Sequence, residues 1–153
     1  MFVTAYQNYY SGANYYIQLT LGTVNDDGSV SYGTTKSCRI DSAVVSGVAL
    51  TRLTDSKFVV TMPYSGSGVS IVVVSVTNGL MTIGTDWGGG AYEASVARTG
   101  DNSLVIAYRS SVDNDCYVVA GSISGITNTL GTAVSFEVGT TQYPSDTAIT
   151  STK

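Results

Sequence analysis

Three stretches of the chain read alike, and this internal repeat limits the folds open to it more than any other feature. They begin at Phe2 (FVTAYQNYYSGANYYIQLTLGTVNDDGSVSYGT), at Phe58 (FVVTMPYSGSGVSIVVVSVTNGLMTIGT) and at Leu104 (LVIAYRSSVDNDCYVVAGSISGITNTLGT). Each reads as an apolar strand, a polar turn, a second strand, a Gly or Asn turn, a short third strand and then Gly-Thr. The pairs Gly33-Thr34, Gly84-Thr85 and Gly131-Thr132 are 51 and 47 residues apart (84 − 33 and 131 − 84). The strand starts are 56 and 46 residues apart (58 − 2 and 104 − 58). Two independent markers thus give one period of about 50 residues.

A further strand precedes the second copy (GVALTRLTDSK) and the third (ASVARTGDNS), each closing on a turn with an aspartate, Asp55 or Asp101. Only Met1 precedes Phe2. The counterpart lies at the far end of the sequence, where ITSTK at 149–153 matches LTDSK at 53–57. The sequence therefore reads as a single repeat domain over 1–153: repeat 1 is 147–153 plus 1–40, repeat 2 is 41–90 and repeat 3 is 91–146.

The composition suits strands. Charged residues are 12% of the chain against 43% hydrophobic ones, and Ser, Thr, Gly and Asn make up for the low charge, a mix that favours sheets and turns over helices. No window shows helical periodicity. First strands of the repeats are expected at 47–53, 94–98 and 147–151, second strands at 2–7, 58–62 and 104–109. Third strands are expected at 15–24, 69–77 and 117–123, fourth strands at 30–32, 80–83 and 129–130. The unbroken apolar run Ile71–Val74 reads as a strand covered on both faces.

Several functions are disfavoured. A net charge of −4 with seven scattered Lys and Arg lacks the basic cluster that nucleic acid requires. No run of 18 apolar residues exists for a membrane span, and the opening MFVTAYQNYY carries no secretory leader pattern. With no histidine in the chain, Ser-His-Asp and Cys-His chemistry is absent. Glu93 and Glu137 remain as candidates for a carboxylate pair of the glycosidase kind, but the aspartates sit in turn-like contexts and no enzyme is expected. Asp26-Asp27 and Asp113-Asn114-Asp115 cluster acids without the distal ligand of a calcium loop, so no metal or cofactor is expected. Cys38 and Cys116 have neither CxxC spacing nor a nearby histidine, and are expected as buried thiols rather than a disulfide.

The aromatic residues point elsewhere. Eleven tyrosines are present, four of them crowded at Tyr9, Tyr10, Tyr15 and Tyr16. Tyr6 and Tyr108 end the same strand of their repeats, with Met62 in the middle copy. Trp87 lies in Asp86-Trp87-Gly88-Gly89-Gly90, read as a flexible loop presenting an aromatic face. Arg52 and Arg98 hold equivalent places in the first strands. Trp87, Tyr6, Tyr108, Arg52 and Arg98 are therefore the candidate ligand-binding residues. The plainer reading is packing for the aromatics and solvated, edge-guarding charge for the arginines.

A four-stranded antiparallel meander repeated every 40–50 residues resembles the blades of a β-propeller, in which N- and C-terminal strands often share one sheet. Three blades are too few to close a ring. Two copies would give six, each tail completing the other's first blade, so the resemblance implies a homodimer. The architecture is similar to that of fucose-binding propeller lectins of fungi and bacteria, some of which build a six-bladed ring from short chains. Their Trp-Asp-Gly-x-Gly-Trp type of sugar signature is absent, so no site residue carries over. Alternatives with three repeats in one chain are the β-trefoil and the β-prism. The expected function is a non-catalytic, lectin-like binding module that recognises a glycan or a surface protein. The alternative is a structural or self-assembling propeller fragment, natural or engineered, in which strand exchange is the purpose.

Overall fold

A computed structural model of the protein describes residues 1–9, 15–41, 48–64 and 68–138. These residues form twelve strands, all pairings antiparallel, and no helix. The first sheet is β1 (Phe2–Tyr9), β2 (Tyr15–Val24) and β3 (Val30–Asp41), in that order. The second is β4 (Ala49–Arg52), β5 (Lys57–Tyr64), β6 (Gly68–Thr77) and β7 (Leu80–Gly89). The third runs β8 (Ala91–Gly100), β9 (Ser103–Ser110), β10 (Cys116–Ser124) and β11 (Thr127–Leu130). A last strand, β12 (Val134–Glu137), pairs with β10 below β11, along the same edge.

Turn chemistry fixes the registers. Asn78 and Gly79 link β6 to β7 with φ of 51° and 74°, the two positive values a type I′ hairpin demands. Gly125 at φ 63° opens the two-residue turn between β10 and β11. Between β2 and β3, Asp27 Oδ1 accepts hydrogen bonds from the backbone N (2.9 Å) and Oγ (2.6 Å) of Ser29. That carboxyl, considered above as a calcium ligand, is held below its usual range by those bonds.

The Gly-Thr pairs mark a recurring irregularity. In the first sheet Thr20 pairs with Thr35 and Gly22 with Tyr32, so Gly33-Thr34 bulges opposite Leu21. In the second, Gly84-Thr85 bulges opposite Val73 in the same way. In the third, Gly131 donates its N–H to Ala120 O at 2.9 Å, and the chain departs from the ladder until β12 begins. The fourth strands continue beyond this bulge, so β3 and β7 reach Asp41 and Gly89 instead of stopping at 32 and 83 as expected. Two residues facing one bend a strand without ending it. The first strand of the second sheet is shorter than the expected 47–53, and the segment 147–151 lies outside the described residues.

The sheets stack face to face. One core cluster fills the first seam, between the first and second sheets, with Ile17, Leu19 and Leu21 against Phe58, Val60, Met62, Val72, Val74 and Val76. The second seam, between the second and third sheets, holds Leu53, Val59, Ile71 and Val73 against Leu104, Ile106, Val119 and Ile123. Alternate residues of β5 and β6 thus enter opposite seams, as the period of two dictates. The run Ile71–Val74 is buried throughout, matching the expectation of a strand covered on both faces. Polar ties cross the seams: Lys36 Nζ donates to Met81 O at 2.7 Å, Thr51 Oγ1 to Val96 O at 2.8 Å and Asn128 Nδ2 to Ile71 O at 3.1 Å. Cys116 is buried, and Cys38 Sγ lies 3.6 Å from Met62 Sδ; the two are thiols and form no disulfide.

Candidate functional site

Successive turns of an antiparallel meander alternate between its two ends, so the stack has two distinct faces. One end carries the turns at 25–29, 53–56, 78–79, 101–102 and 125–126. The other carries the β9–β10 loop at 111–115 and Gly90, which joins β7 to β8.

Arg52 and Arg98 lie at the first of these ends. Arg52 Nη2 bonds to Asp55 Oδ1, and Arg98 Nη2 to Asp101 Oδ1, each clasping the aspartate of its own hairpin turn. Both pairs are solvent-exposed. Such surface pairs hold a turn and add little to stability. The repeat-related arginines therefore serve equivalent turns, and their charge is engaged locally.

The opposite end concentrates aromatic and acidic groups. Tyr108 on β9 is paired across the ladder with Tyr117 on β10, and their rings stack at 5.6 Å between centroids with an interplanar angle of 17°. Tyr117 Oη donates to Asp113 Oδ2 at 2.7 Å, and Asp115 N donates to Asp113 Oδ1 at 3.2 Å. Asn114, at φ 64°, gives the loop its left-handed step, a conformation asparagine tolerates better than most residues. Hydrogen bonds from Ser110 and then Tyr117 hold the Asp113 carboxyl below the usual carboxylate range. The bond to Asp113, with burial and nearby negative charge behind it, pushes the Tyr117 phenol up to about 12. Burial first, and then the Asp113 charge, raises Tyr108. The loop thus holds a fixed carboxylate beside a stacked aromatic pair.

Trp87 does not lie in a loop. It lies on β7 and pairs with Ile71 of β6, and Gly88 and Gly89 continue the ladder opposite Ser70 and Val69. A methyl group on Gly89 would lie 2.4 Å from the indole ring. The glycine gives the ring room to lie along its own strand, which is why a Gly-rich run forms a strand here. The half-buried indole and Tyr108 both pack against the second-seam core. The structure therefore brings Trp87 and Tyr108 to one seam. It keeps Tyr6 apart, on the outward face of the first sheet and 42% exposed. The tyrosine cluster at 9–16 falls on residues that are undescribed or whose side chains are.

Glu93, Arg109, Cys116 and Glu137 form one row across the third sheet. Arg109 Nη2 lies 3.5 Å from Glu93 Oε1, with the two side chains 14% and 24% exposed. Three strand spacings, roughly 14 Å, separate Glu93 from Glu137. Glycosidase pairs stand roughly 5–9.5 Å apart, so these two do not form one. Among the described residues no three His, Cys, Asp or Glu groups converge as metal ligands, and no helix is long and apolar enough to cross a membrane.

Sequence reading missed Tyr117, Asp113 as its partner, and Arg109. Counting outward from the β9–β10 loop would have set Tyr117 opposite Tyr108. The acids of that loop drew attention as possible cation ligands instead. Comparison of the chain with protein-family models, curated proteins and solved structures finds no match.

Proposed function

We propose that the chain is a non-catalytic binding module made of three propeller blades, two copies of which close a six-bladed ring. Its ligand would bind at the end that carries Tyr108, Tyr117 and Asp113. The observation behind the recognition site is the stacked tyrosine pair with a carboxylate anchored beside it. A sugar ring offers apolar C–H faces to aromatic rings and hydroxyls to a carboxylate. A glycan is therefore the ligand class favoured, with a surface protein gripped through the same aromatics as the other member of the class. Support for blades comes from the face-to-face stack and from a middle sheet with a separate core on each side. A trefoil or prism would gather its three repeats around one shared core.

A glycan array followed by titration of a hit tests this reading. Tyr108→Ala and Asp113→Asn should each weaken binding by about tenfold or more, roughly 1.4 kcal/mol. An array without hits, or a hit indifferent to both substitutions, would remove the site. Light scattering tests the ring, with twice the 15.9 kDa chain mass expected.

The second reading is a self-assembling element. Val105, Val118 and Val134 share the outward face of the third sheet, and Val134 is 61% exposed. A head-to-tail contact that failed to close would extend into a filament, which electron microscopy would separate from a ring.

A further inference from the structure

A cavity of about 360 Å³ opens beside β1, at the margin of the first seam. Its apolar wall is Val3, Leu21, Phe58 and Val76, and its rim runs along β4 and the β4–β5 turn through Leu50, Arg52 and Asp55. The registers place this cavity in the repeat. Phe2 opposes Gly22, Phe58 opposes Val74 and Leu104 opposes Gly121. Counting from these pairs, Val3, Leu21, Phe58 and Val76 correspond, one sheet along, to Val59, Val73, Leu104 and Ile123. Those four residues belong to the second-seam cluster that encloses Leu53, which is fully buried. The cavity is therefore the first-seam counterpart of the seat that Leu53 fills in the second seam.

The backbone beside it is equally open. β4 pairs with β5 and β8 with β9, whereas β1, the counterpart of β5 and β9, has no strand on its outer edge among the described residues. A row of unpaired N–H and C=O groups next to an apolar pocket is suited to adding a strand with one aliphatic anchor.

We propose that the cavity is a docking site for residues 146–149 of a second copy of this chain, with Ile149 in the place that corresponds to Leu53. The inference rests on the blade reading above. Ile149 begins the segment that matches 53–57, and the equivalence sets the register. Arg52 opposes Phe58 and Thr51 opposes Val59, so Ala148 opposes Phe2 and Thr147 opposes Val3. The direction of the chain selects the second copy over the chain's own tail. From β3 to β4, and from β7 to β8, the backbone moves one sheet along the stack. After β12 the same step would lead to a sheet on the outward face of the third, where the described residues form none, and a second copy would supply it. The chain's own first sheet lies the other way, behind the second.

Disulfide trapping tests the register and the partner together. Differently tagged copies carrying Phe2→Cys or Ala148→Cys, with Cys38 and Cys116 changed to Ala, are mixed and oxidised. A mixed-tag dimer on a non-reducing gel is expected. Asp146→Cys in place of Ala148→Cys, two residues out of register, should give at least tenfold less. Ile149→Asp should weaken self-association by roughly 100-fold or more, and Ile149→Leu should preserve it. Should the aspartate variant fail to fold, the trapping result still decides. A double-cysteine chain closing on itself at monomer mass would overturn the proposal in favour of the chain's own tail. An unmodified protein of dimer mass that gives no register-selective cross-link would overturn the docking site and leave the ring standing. A monomeric unmodified protein would end both.

Discussion

The two seams of the stack are lined by equivalent strands, yet they are filled to different degrees. In the second seam β4 and β8 are both present, Leu53 is enclosed, and the β10–β11 turn comes close enough to touch β7. In the first seam the strand equivalent to β4 is missing from the described residues, and a cavity stands where the counterpart of Leu53 would be. The difference shows what a first strand contributes. It supplies four ladder pairs, and it also closes the margin of the core with a single aliphatic side chain.

Leu53→Ala should have the largest effect, about 3 kcal/mol, as for fully buried leucines. Leu50→Ala, on the cavity rim, should cost less than about 1 kcal/mol. Urea denaturation of both variants checks the contrast, and equal losses would mean that the seams are filled alike.

The bulge glycines give the next test. A methyl group on Gly84 would lie 1.9 Å from the carbonyl oxygen of Ile126, which is backbone and cannot swing aside. Gly84→Ala should therefore lose about 2 kcal/mol, in the range of overpacked cores. At Gly33 the nearest atom to such a methyl is Leu21 O at 3.8 Å, so Gly33→Ala should fall within about 0.5 kcal/mol of the parent. Thermal melts of the pair would show whether the second seam is the tighter one.

Trp87→Ala probes the open end of the tight seam. The indole is half-buried against the core, so a loss of about 2 kcal/mol is expected, below that of a fully buried tryptophan. A loss under 0.5 kcal/mol would show that the ring adds nothing to the seam.

The smallest effects are those of pH at the same end. Tyr117 has a raised phenol pKa, so its contribution is complete below the ordinary value near 10 and is lost as pH rises through about 12. Asp113 is shifted downward, so its contribution is present above the unfolded carboxylate value and is lost as pH falls through the lower folded one. Ultraviolet titration of the tyrosines should show a phenol near 12, that of Tyr117, later than the burial-raised Tyr108, and it should return toward the ordinary range in Asp113→Asn. A phenol near 12 that survives that substitution would assign the Tyr117 shift to burial.

Much of this arrangement was legible in the sequence, because apolar alternation and turn residues act locally. The apolar run of β6 announced a strand with a core on each side, and Asn78-Gly79 announced its hairpin. The ends of the fourth strands were not legible. Beyond Gly33 the sequence TTKSCRID is largely polar, with Thr34, Thr35, Lys36 and Ser37 exposed, so no apolar pattern signals that pairing continues. Trp87 was misplaced because glycine usually reports a loop, whereas Gly89 makes room here for a neighbouring ring. The Tyr108, Tyr117 and Asp113 group was hidden for another reason: it depends on a cross-strand register that no local pattern states.

The Gly-Thr bulges bear on how the protein stays apart from its neighbours. β3 has twelve residues and β7 has ten, and both form outer edges of their sheets. A straight edge of that length is a template on which a strand from another molecule can align. A bulge near the middle breaks the spacing of donors and acceptors, so an incoming strand in register with one half is out of register with the other. The three-residue break between β11 and β12 interrupts the third sheet's edge at the corresponding point. Each sheet thus resists indiscriminate pairing along that edge, and uninterrupted pairing is left to the opposite margin, where β1 has no second partner strand among the described residues.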